Sequence, residues 1–402
     1  MKTAGIIAEY NPFHEGHAYQ IKKAKELSGA EHCVVIMSGD FVQRGEPAFF
    51  DKYSRTKSAL ENGADIVFEL PVRFSVSSAG DFSYGAVKAL DSLGVITHLC
   101  FGSEYGEIDR FIKTAEVLND EDRPGSIFQK TLTEALKNGL SYADARDAAI
   151  KSALSDSLPD DFLSTPNNIL GIEYCHALKK LGSTIVPITV KREGQAYDDT
   201  NDSFIKNYDT HAFPSSTALR KHLTEKNVPH MEANYFSDMI YYSLLELFRA
   251  GDDINVSYPK DMSKDLANRI KNSIDSFIDP DGFIDDIKTK AFTTSRIKRC
   301  LIQSLLGIND TDNDIKYLRL LGFRSEASPL IKEIKKSTAP DSGNGSLHII
   351  TRLADDLPKL DKKARQLYES QDLFAAKLYR NIFEKKCGVR YPNEYQQTPV
   401  II

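Results

Sequence analysis

The stretch Glu9-Tyr10-Asn11-Pro12-Phe13-His14-Glu15-Gly16-His17 decides how the first part of the chain folds. Before it, Thr3–Ala8 is an apolar run that is typical of a short buried strand. After it, apolar residues recur at the spacing of a helix, at Ala18, Ile21, Ala24 and Leu27. The pattern therefore predicts a turn that leads from a strand into a helix.

The composition of this turn indicates an anion site. Pro12 cannot extend the hydrogen-bond ladder of a sheet, and Gly16 allows a ligand to come close to the backbone. His17 falls in the first turn of the helix, where free N–H groups favour negative charge. A phosphate group is the ligand that these features suit best.

His14 and His17 are also compatible with a metal site, or with an ordinary polar loop. No cluster of Cys or His elsewhere in the sequence completes a zinc site, so we assign no metal ligands. The turn follows the first strand of the predicted sheet, and open α/β sheets bind ligands at the carboxyl ends of their strands. This position favours the phosphate interpretation.

Strands and helices alternate through the first half of the chain. Further strands are predicted at residues 32–37, 65–70, 95–101 and 185–190. The alternation predicts an α/β fold built on a doubly wound, Rossmann-like parallel sheet. Within this half, residues 107–165 are predicted to be a helical insertion and residues 193–207 a mobile polar loop.

After residue 228 the periodicity becomes mainly helical, with one short strand predicted at residues 347–351. The total length of 402 residues also suggests two or three domains. We therefore expect a first domain at residues 1–228 and a mainly α-helical second domain at residues 229–402.

The composition is that of a globular protein, with 41% hydrophobic and 27% charged residues. No apolar run approaches the roughly 18 residues that a bilayer crossing needs, so no membrane partner is expected. The five cysteines are odd in number and widely scattered, which argues against a disulfide framework or a metal cluster. A reducing cytoplasm is the expected location.

A second signal is the run Ser215-Ser216-Thr217-Ala218-Leu219-Arg220. Ser and Thr at a helix start satisfy free N–H groups, and Arg220 follows one turn later. Hydroxyls, amides and a guanidinium can surround a phosphate chain in this arrangement. The alternative is an ordinary serine-rich helix cap.

The two signals resemble the signatures of a known superfamily. Asn11-Pro12-Phe13-His14-x-Gly16-His17 is similar to the His-x-Gly-His signature of the nucleotidyltransferases, and Ser215–Arg220 is similar to their second signature. The longer motifs resemble the bacterial tRNA(Met) cytidine acetate ligase family. They are residues 38–48 (SGDFVQRGEPA), Asp51-Lys52 with Arg55, residues 166–174 (PNNILGIEY) and residues 191–194 (KREG).

This resemblance implies a nucleotidyltransferase-like catalytic domain that binds ATP, followed by a tRNA-binding domain. It implies an ATP site made of Ile7, Ala8, Glu9, Tyr10, Asn11, Pro12, Phe13, His14, Glu15, Gly16, His17, Ala18, Tyr19, Gln20, Gly102, Asn168 and Arg192. Asn167 is a further candidate, because spacing does not decide which of the two amides faces the ligand. Mg²⁺ is compatible with this site, but the sequence assigns it no protein ligands.

The implied reaction has two steps. Acetate and ATP form acetyl-adenylate, and the wobble cytidine of elongator tRNA(Met) then takes the acetyl group at N4. Adenylate formation depends on fixed hydrogen-bond donors around the phosphates. We expect His14 and His17 to donate to the phosphate oxygens, and Ser216, Thr217 and Arg220 to hold the far end of the triphosphate.

Asp40, Gln43 and Arg44 follow the second predicted strand and therefore border the same crevice. A guanidinium such as that of Arg44 binds a carboxylate in a fork geometry, which would suit acetate. The alternative for Arg44 is a plain surface salt bridge.

A basic segment supplies the expected RNA surface. Residues 287–340 contain eleven Lys or Arg against five acids, so the segment is +6 in a chain of net charge -6. This contrast favours RNA contact. The residues we select are Arg296, Lys298, Arg299, Lys335 and Lys336. The alternative is an ordinary solvated helix face.

Two other functions share some of these features. An adenylyltransferase acting on a small phosphorylated metabolite would carry both signatures but would not need a basic helical domain of this size. A non-catalytic RNA-binding protein could retain a nucleotide pocket, although the intact His14, Gly16 and His17 set argues against it.

Overall fold

The structure is a computed structural model that describes residues 2–120, 123–155, 158–192, 215–249, 258–309, 312–339 and 347–402. The predicted mobile loop at 193–207 lies outside these residues. The described strands are β1 Thr3–Ala8, β2 His32–Ser38, β3 Phe41–Val42, β4 Glu46–Pro47, β5 Ile66–Leu70, β6 His98–Ser103, β7 Val186–Lys191, β8 Tyr317–Phe323, β9 His348–Ile350 and β10 Val400–Ile401.

The described helices of the first half are α1 Glu15–Ser28, α2 Lys52–Glu61, α3 Val72–Ser75, α4 Ala79–Ser92, α5 Ile108–Leu118, α6 Ile127–Lys137, α7 Tyr142–Ala153, α8 Pro166–Leu181 and α9 Ser216–Glu225. Those of the second half are α10 Ser237–Phe248, α11 Lys264–Ser273, α12 Pro280–Ile287, α13 Thr294–Leu306, α14 Ser328–Ser337, α15 Leu353–Asp356, α16 Lys362–Leu367 and α17 Leu373–Cys387. Within the described ranges, no helix has both the length and the apolar character needed to cross a bilayer.

The predicted parallel sheet is confirmed. Its strand order is β10-β8-β5-β2-β1-β6-β7, with β9 paired to β8. The five predicted strands are adjacent in the sheet, and each runs parallel to its neighbours within this group. They are β1, β2, β5, β6 and β7. Strand β2 lies on one side of β1, and β6 lies on the other side. The order in which the chain adds strands to the sheet therefore reverses at β1. Ligands of open α/β sheets bind at such a point, outside the carboxyl ends of the strands.

Helices cover both faces of the sheet. Val35 and Val67 point to one face, where they share a buried cluster with Ile21 of α1 and Leu60 of α2. The alternate positions on the opposite face, such as Val34, Ile36 and Phe68, pack with residues of α4, α5 and α8. Three helices, α5, α6 and α7, lie between β6 and α8, in the region where the helical insertion is predicted.

The sheet crosses the predicted domain boundary at 228–229. Strands β8, β9 and β10 come from the second half of the chain, and β8 pairs antiparallel to β5. We predicted β9 but neither β8 nor β10. Gly322 allows β10 to approach β8 closely, since a Cβ at position 322 would lie 2.7 Å from the Val400 carbonyl oxygen. The division into 1–228 and 229–402 therefore does not separate two independent sheets and cores.

The helices of the second half build a separate apolar cluster from α10, α11, α12, α13 and α17. Phe41, Val72 and Val76 of the first half belong to the same cluster. Two buried hydrogen bonds also join the two halves of the chain here. The Gln303 side chain donates to the Val76 carbonyl at 2.7 Å, and the Tyr379 hydroxyl donates to the Ala48 carbonyl at 2.8 Å.

A buried ionic cluster joins the two halves beneath the carboxyl end of the sheet. The Lys52 ammonium lies 2.9 Å from Glu69, 3.4 Å from Glu394 and 3.7 Å from Asp40, and its side chain is 2% exposed. Burial opposes charge on Lys52, but the three carboxylates outweigh it and raise its pKa. Burial also raises the pKa of Asp40 to about 6 and that of Glu69 to about 7. Glu394 belongs to the C-terminal segment, so this cluster fixes that segment to α2.

Replacing Lys52 should destabilise the protein strongly. Lys52→Met removes the cation that the three buried carboxylates share, and among the described residues it leaves only Glu394 with a second one, Arg319 at 3.6 Å. We expect the free energy of unfolding to fall by about 3–5 kcal/mol in denaturant titrations. Lys57→Met on the same helix is the control, because Lys57 is 63% exposed and pairs with Glu61 at 3.8 Å. That change should cost less than about 0.5 kcal/mol. Equal losses for the two variants would contradict the role given to the cluster.

Candidate active site

The turn after β1 is held in place by two arginines. Arg55 of α2 is 1% exposed, and its guanidinium donates to the carbonyls of Glu9 at 2.6 Å, Ser38 at 2.9 Å and Phe50 at 2.9 Å, and to that of Gly39. It thereby ties the ends of β1 and β2 together.

Arg220 of α9 holds the same turn from another side by donating to the Asn11 carbonyl at 2.7 Å. Tyr10, between these two attachment points, has a φ of 49° and a buried side chain. Because a non-glycine residue rarely adopts a positive φ, the turn needs this support from both sides.

His14 and His17 cap the first turn of α1 reciprocally. The His14 Nδ1 accepts from the Gly16 N–H at 3.1 Å, and the His17 Nδ1 accepts from the His14 N–H at 3.2 Å. The two rings stack with their centroids 3.7 Å apart. A nitrogen that accepts a hydrogen bond carries no proton, so each neutral ring must carry its proton on Nε2. Both rings are therefore hydrogen-bond donors through Nε2.

The environment keeps both imidazoles neutral. Burial lowers the pKa of His14 to about 4, and the Arg192 guanidinium acts in the same direction. Burial also lowers the pKa of His17 well below its usual value, with contributions from His14 and Arg192. The site therefore presents two neutral N–H donors at the N-terminal end of a helix, where the helix dipole adds partial positive charge.

The ends of β6 and β7 meet the start of α8 across the crevice from the histidines. Asn168 is 0% exposed, and its Oδ1 accepts from the Glu104 N–H at 3.1 Å. Its Nδ2 finds no acceptor among the described residues. Asn167, by contrast, donates to Glu104 at 2.6 Å and accepts from Arg192 at 3.4 Å. An unsatisfied buried donor makes Asn168 the better candidate for a ligand contact.

Gly102 lies at the end of β6, beside Arg192. A Cβ at position 102 would lie 3.5 Å from the Arg192 Cγ, which is an ordinary contact. The expected benefit of this glycine for a close ligand approach stays a prediction.

The second signature lies beside the first. Ser215 caps α9 by accepting from the Ala218 N–H at 3.1 Å, and Arg220 donates to the Thr217 hydroxyl at 3.2 Å as well as to Asn11. The structure thus brings Thr217 and Arg220 to the turn that contains the histidines. Ser216, at the first position of α9, is partly exposed. Their contact with a triphosphate stays a prediction.

The three residues selected for acetate have different surroundings. Asp40 is 6% exposed and belongs to the Lys52 cluster. Gln43 donates its side chain to the Ser77 carbonyl at 3.0 Å and its backbone N–H to Glu9 at 2.8 Å. Arg44 is close enough to Glu9 to oppose the rise in pKa that burial causes in that carboxyl. The contact of any of these three residues with acetate stays a prediction.

The residues selected for RNA fall into two groups. Near the crevice, Lys298 pairs with Glu46 at 2.6 Å, Arg299 pairs with Asp261, and Arg296 donates to the Asp261 carbonyl at 3.0 Å. Each of these three cations has a partner within the protein.

Lys335 and Lys336 are exposed but lie at the end of α14, where the neighbouring Ser337 hydroxyl donates to the Leu93 carbonyl at 2.5 Å. Leu93 precedes β6, so these lysines lie toward the amino ends of the parallel strands, opposite the crevice. The structure does not bring the five selected residues together. Their RNA contacts stay predictions.

Within the described residues, no group of three or more His, Cys, Asp or Glu is arranged to hold a metal ion.

Comparison with known proteins places the whole chain in one family. The model of the HIGH Nucleotidyl Transferase family matches residues 1–393. A Clostridium kluyveri protein named tRNA(Met) cytidine acetate ligase is 38% identical, with 92% of this chain and 94% of that protein aligned. An Acetivibrio thermocellus protein of the same name is 34% identical over the full length of both. The chain belongs to the tRNA(Met) cytidine acetate ligase family of HIGH nucleotidyl transferases.

Solved structures of the family have the same fold. Thermotoga maritima TmcAL bound with alpha-thio ATP is 29% identical and superimposes with a TM-score of 0.81, covering 100% of this chain and 99% of that one. The apo form of the same protein gives a TM-score of 0.82 at 28% identity. Membership in this ligase family confirms the α/β nucleotidyltransferase fold and an enzymatic role, and it argues against a non-catalytic RNA-binding protein.

Two positions of this ligase-family site had no predicted role. Arg55 appeared in a motif, and Glu104 followed the fourth predicted strand. The signal for Arg55 was present, because α2 carries two cations, Lys52 and Arg55, on the face whose other members Thr56 and Ala59 are buried. A cation at a core-facing helical position must find acceptors, which here are backbone carbonyls at the strand ends.

Two substitutions at His14 test whether the stability of the protein depends on its cap acceptor or on its imidazole ring. His14→Ala removes the cap, and we expect a loss of about 1 kcal/mol in the free energy of unfolding. His14→Asn keeps an acceptor that is favoured at helix starts, so its stability should stay within about 0.5 kcal/mol of the original protein. Denaturant titration measures both, and a His14→Asn loss as large as that of His14→Ala would contradict the cap.

Proposed function

We propose that this chain activates acetate with ATP and transfers the acetyl group to N4 of the wobble cytidine of elongator tRNA(Met). The observation that carries the proposal is the pair of neutral Nε2–H donors at the start of α1, next to β1, where the strand order of the sheet reverses. The names of the relatives and the ATP analogue in the Thermotoga maritima protein support the same substrates. They favour this ligase over an adenylyltransferase acting on a small metabolite.

In the first step, an acetate oxygen forms a bond to the α-phosphorus of ATP, and the bond to pyrophosphate breaks. Negative charge shifts onto phosphate oxygens, which fixed donors stabilise without reorganising. We assign this work to His14 and His17, with Arg192 and Asn168 on the nucleoside side and Arg220 and Thr217 at the far phosphates. Mg²⁺ bound with ATP would supply positive charge to the phosphates, and we assign it no protein ligands.

In the second step, the cytidine N4 attacks the acetyl carbon of the mixed anhydride. The bond to the adenylate oxygen breaks, AMP leaves, and the amine gives up a proton. The lone pair of this amine is delocalised into the ring, so an activated acetyl donor is chemically appropriate. The cytidine must leave its stack to reach the crevice, as is usual in enzymes that modify bases.

Incubation with labelled acetate, ATP and tRNA(Met) tests the reaction. We expect label in the tRNA as N4-acetylcytidine, with AMP and pyrophosphate released, and no label when the wobble cytidine is replaced by uridine. His14→Asn should lower acetate-dependent exchange of pyrophosphate into ATP by about 100-fold, because the shorter Asn amide places no donor where the His14 Nε2–H lies. Unlabelled tRNA in the presence of an active exchange reaction would overturn the transfer step, and absence of exchange would overturn both steps.

A further inference from the structure

An aromatic pocket lies beside the signature turn and has no part in the reaction described above. Its volume is about 370 Å³, within the range of small-ligand sites. Six of its lining side chains are rings, from Pro12, Phe13, Phe50, Pro229, Phe383 and Tyr391. Neither His14 nor His17 lines it, but Pro12 and Phe13 belong to the predicted ATP site, so the pocket shares one wall with that site.

This pocket offers partly exposed aromatic rings on which a flat ligand can stack. The Phe383 and Tyr391 centroids lie 5.3 Å apart at an interplanar angle of 42°, and Phe13 lies 5.5 Å from the His17 ring. Phe50 and Tyr391 are partly exposed, whereas Phe383 is buried. A nucleobase stacks on such side chains without regard to sequence, because every base has a π-face.

Besides the Arg55 guanidinium and the Tyr391 hydroxyl, the polar side chains that line the pocket are two serines of α2. The Ser54 hydroxyl donates its proton to the Asp51 carboxylate at 2.5 Å, and the Ser58 hydroxyl donates to the Ser54 carbonyl at 3.1 Å. Both hydroxyl oxygens therefore present acceptors to the pocket. An exocyclic amine on a base edge, as in cytosine, adenine or guanine, complements them.

The segment that supplies Phe383, Val389 and Tyr391 to the pocket is rich in cations, which lie beside the lining residues in sequence. Residues 380–390 contain four cations, at Arg380, Lys385, Lys386 and Arg390, against the single acid Glu384. Lys385, Lys386 and Arg390 are exposed. Basic residues interleaved with Phe383 and Tyr391 combine phosphate attraction with stacking surfaces, which is the chemistry of proteins that bind single-stranded RNA.

We propose that this pocket binds an unstacked nucleobase of the RNA substrate, next to the nucleotide that reacts. The inference rests on the proposed function for the identity of the RNA. Because Pro12 and Phe13 form one wall of the pocket and also belong to the turn that leads into His14, a base held here anchors the loop while its neighbour enters the crevice.

Phe50 allows a test that separates stacking from simple apolar contact. Phe50→Leu keeps an apolar side chain but removes the ring, and Phe50→Tyr keeps the ring. We expect Phe50→Leu to weaken binding of tRNA(Met) by about tenfold and Phe50→Tyr to bind like the original protein. The slope of affinity against salt should not change, since no phosphate contact is lost. Ser58→Trp, which fills the pocket from α2, should weaken binding as Phe50→Leu does.

Phe374→Leu is the matched control, because Phe374 is a 42% exposed phenylalanine that does not line the pocket. Acetate-dependent pyrophosphate exchange needs no RNA and should stay unchanged in all four variants, which also shows that they fold. Unaltered tRNA binding by both Phe50→Leu and Ser58→Trp would overturn the pocket assignment.

The pocket proposal and the proposed function can fail separately. Binding is measured with tRNA in the absence of ATP, so the pocket is judged whether or not acetyl transfer occurs. Failure of acetylation together with a selective loss of binding in Phe50→Leu would overturn the proposed function and support the pocket. If the original protein does not bind tRNA(Met), both proposals fall.

Discussion

The guanidinium of Arg55 is the constraint on which the rest of the site depends. It is buried, and its donors reach backbone carbonyls at the ends of β1 and β2 and at Phe50. A buried charge with unmet donors would be costly, so these carbonyls must stay in place once the protein has folded. The turn that carries His14 and His17 starts from one of these fixed points and is held again at Asn11 by Arg220.

This support gives the two histidines a defined chemical state. Each uses Nδ1 to accept a backbone N–H and therefore directs Nε2–H away from the cap. Neutral donors fixed before the substrate arrives need no reorganisation when charge develops on a phosphate oxygen. The same hydrogen bonds thus cap the helix and determine which proton each ring offers to a ligand.

Local sequence pattern predicted much of this arrangement. The strand Thr3–Ala8 and the helix start before His17 follow from periodicity and cap chemistry within a few residues. Strands β8 and β10 were not predicted, since pairing between Ile66 and Phe323 or between Gly322 and Val400 joins distant segments. Charge counting likewise found a basic segment but could not show that Lys298 pairs with Glu46, or that Lys335 lies away from the crevice.

The protonation state of the two imidazoles tests the account most directly. Proton–nitrogen NMR of the ligand-free protein at about pH 6 distinguishes the tautomers, because unprotonated and protonated ring nitrogens resonate far apart. With the pKa of His14 near 4 and that of His17 also lowered, both rings should be neutral, with the proton on Nε2 and none on Nδ1. A proton on Nδ1 of either ring, or a doubly protonated ring at this pH, would contradict the reciprocal cap and the donor role derived from it.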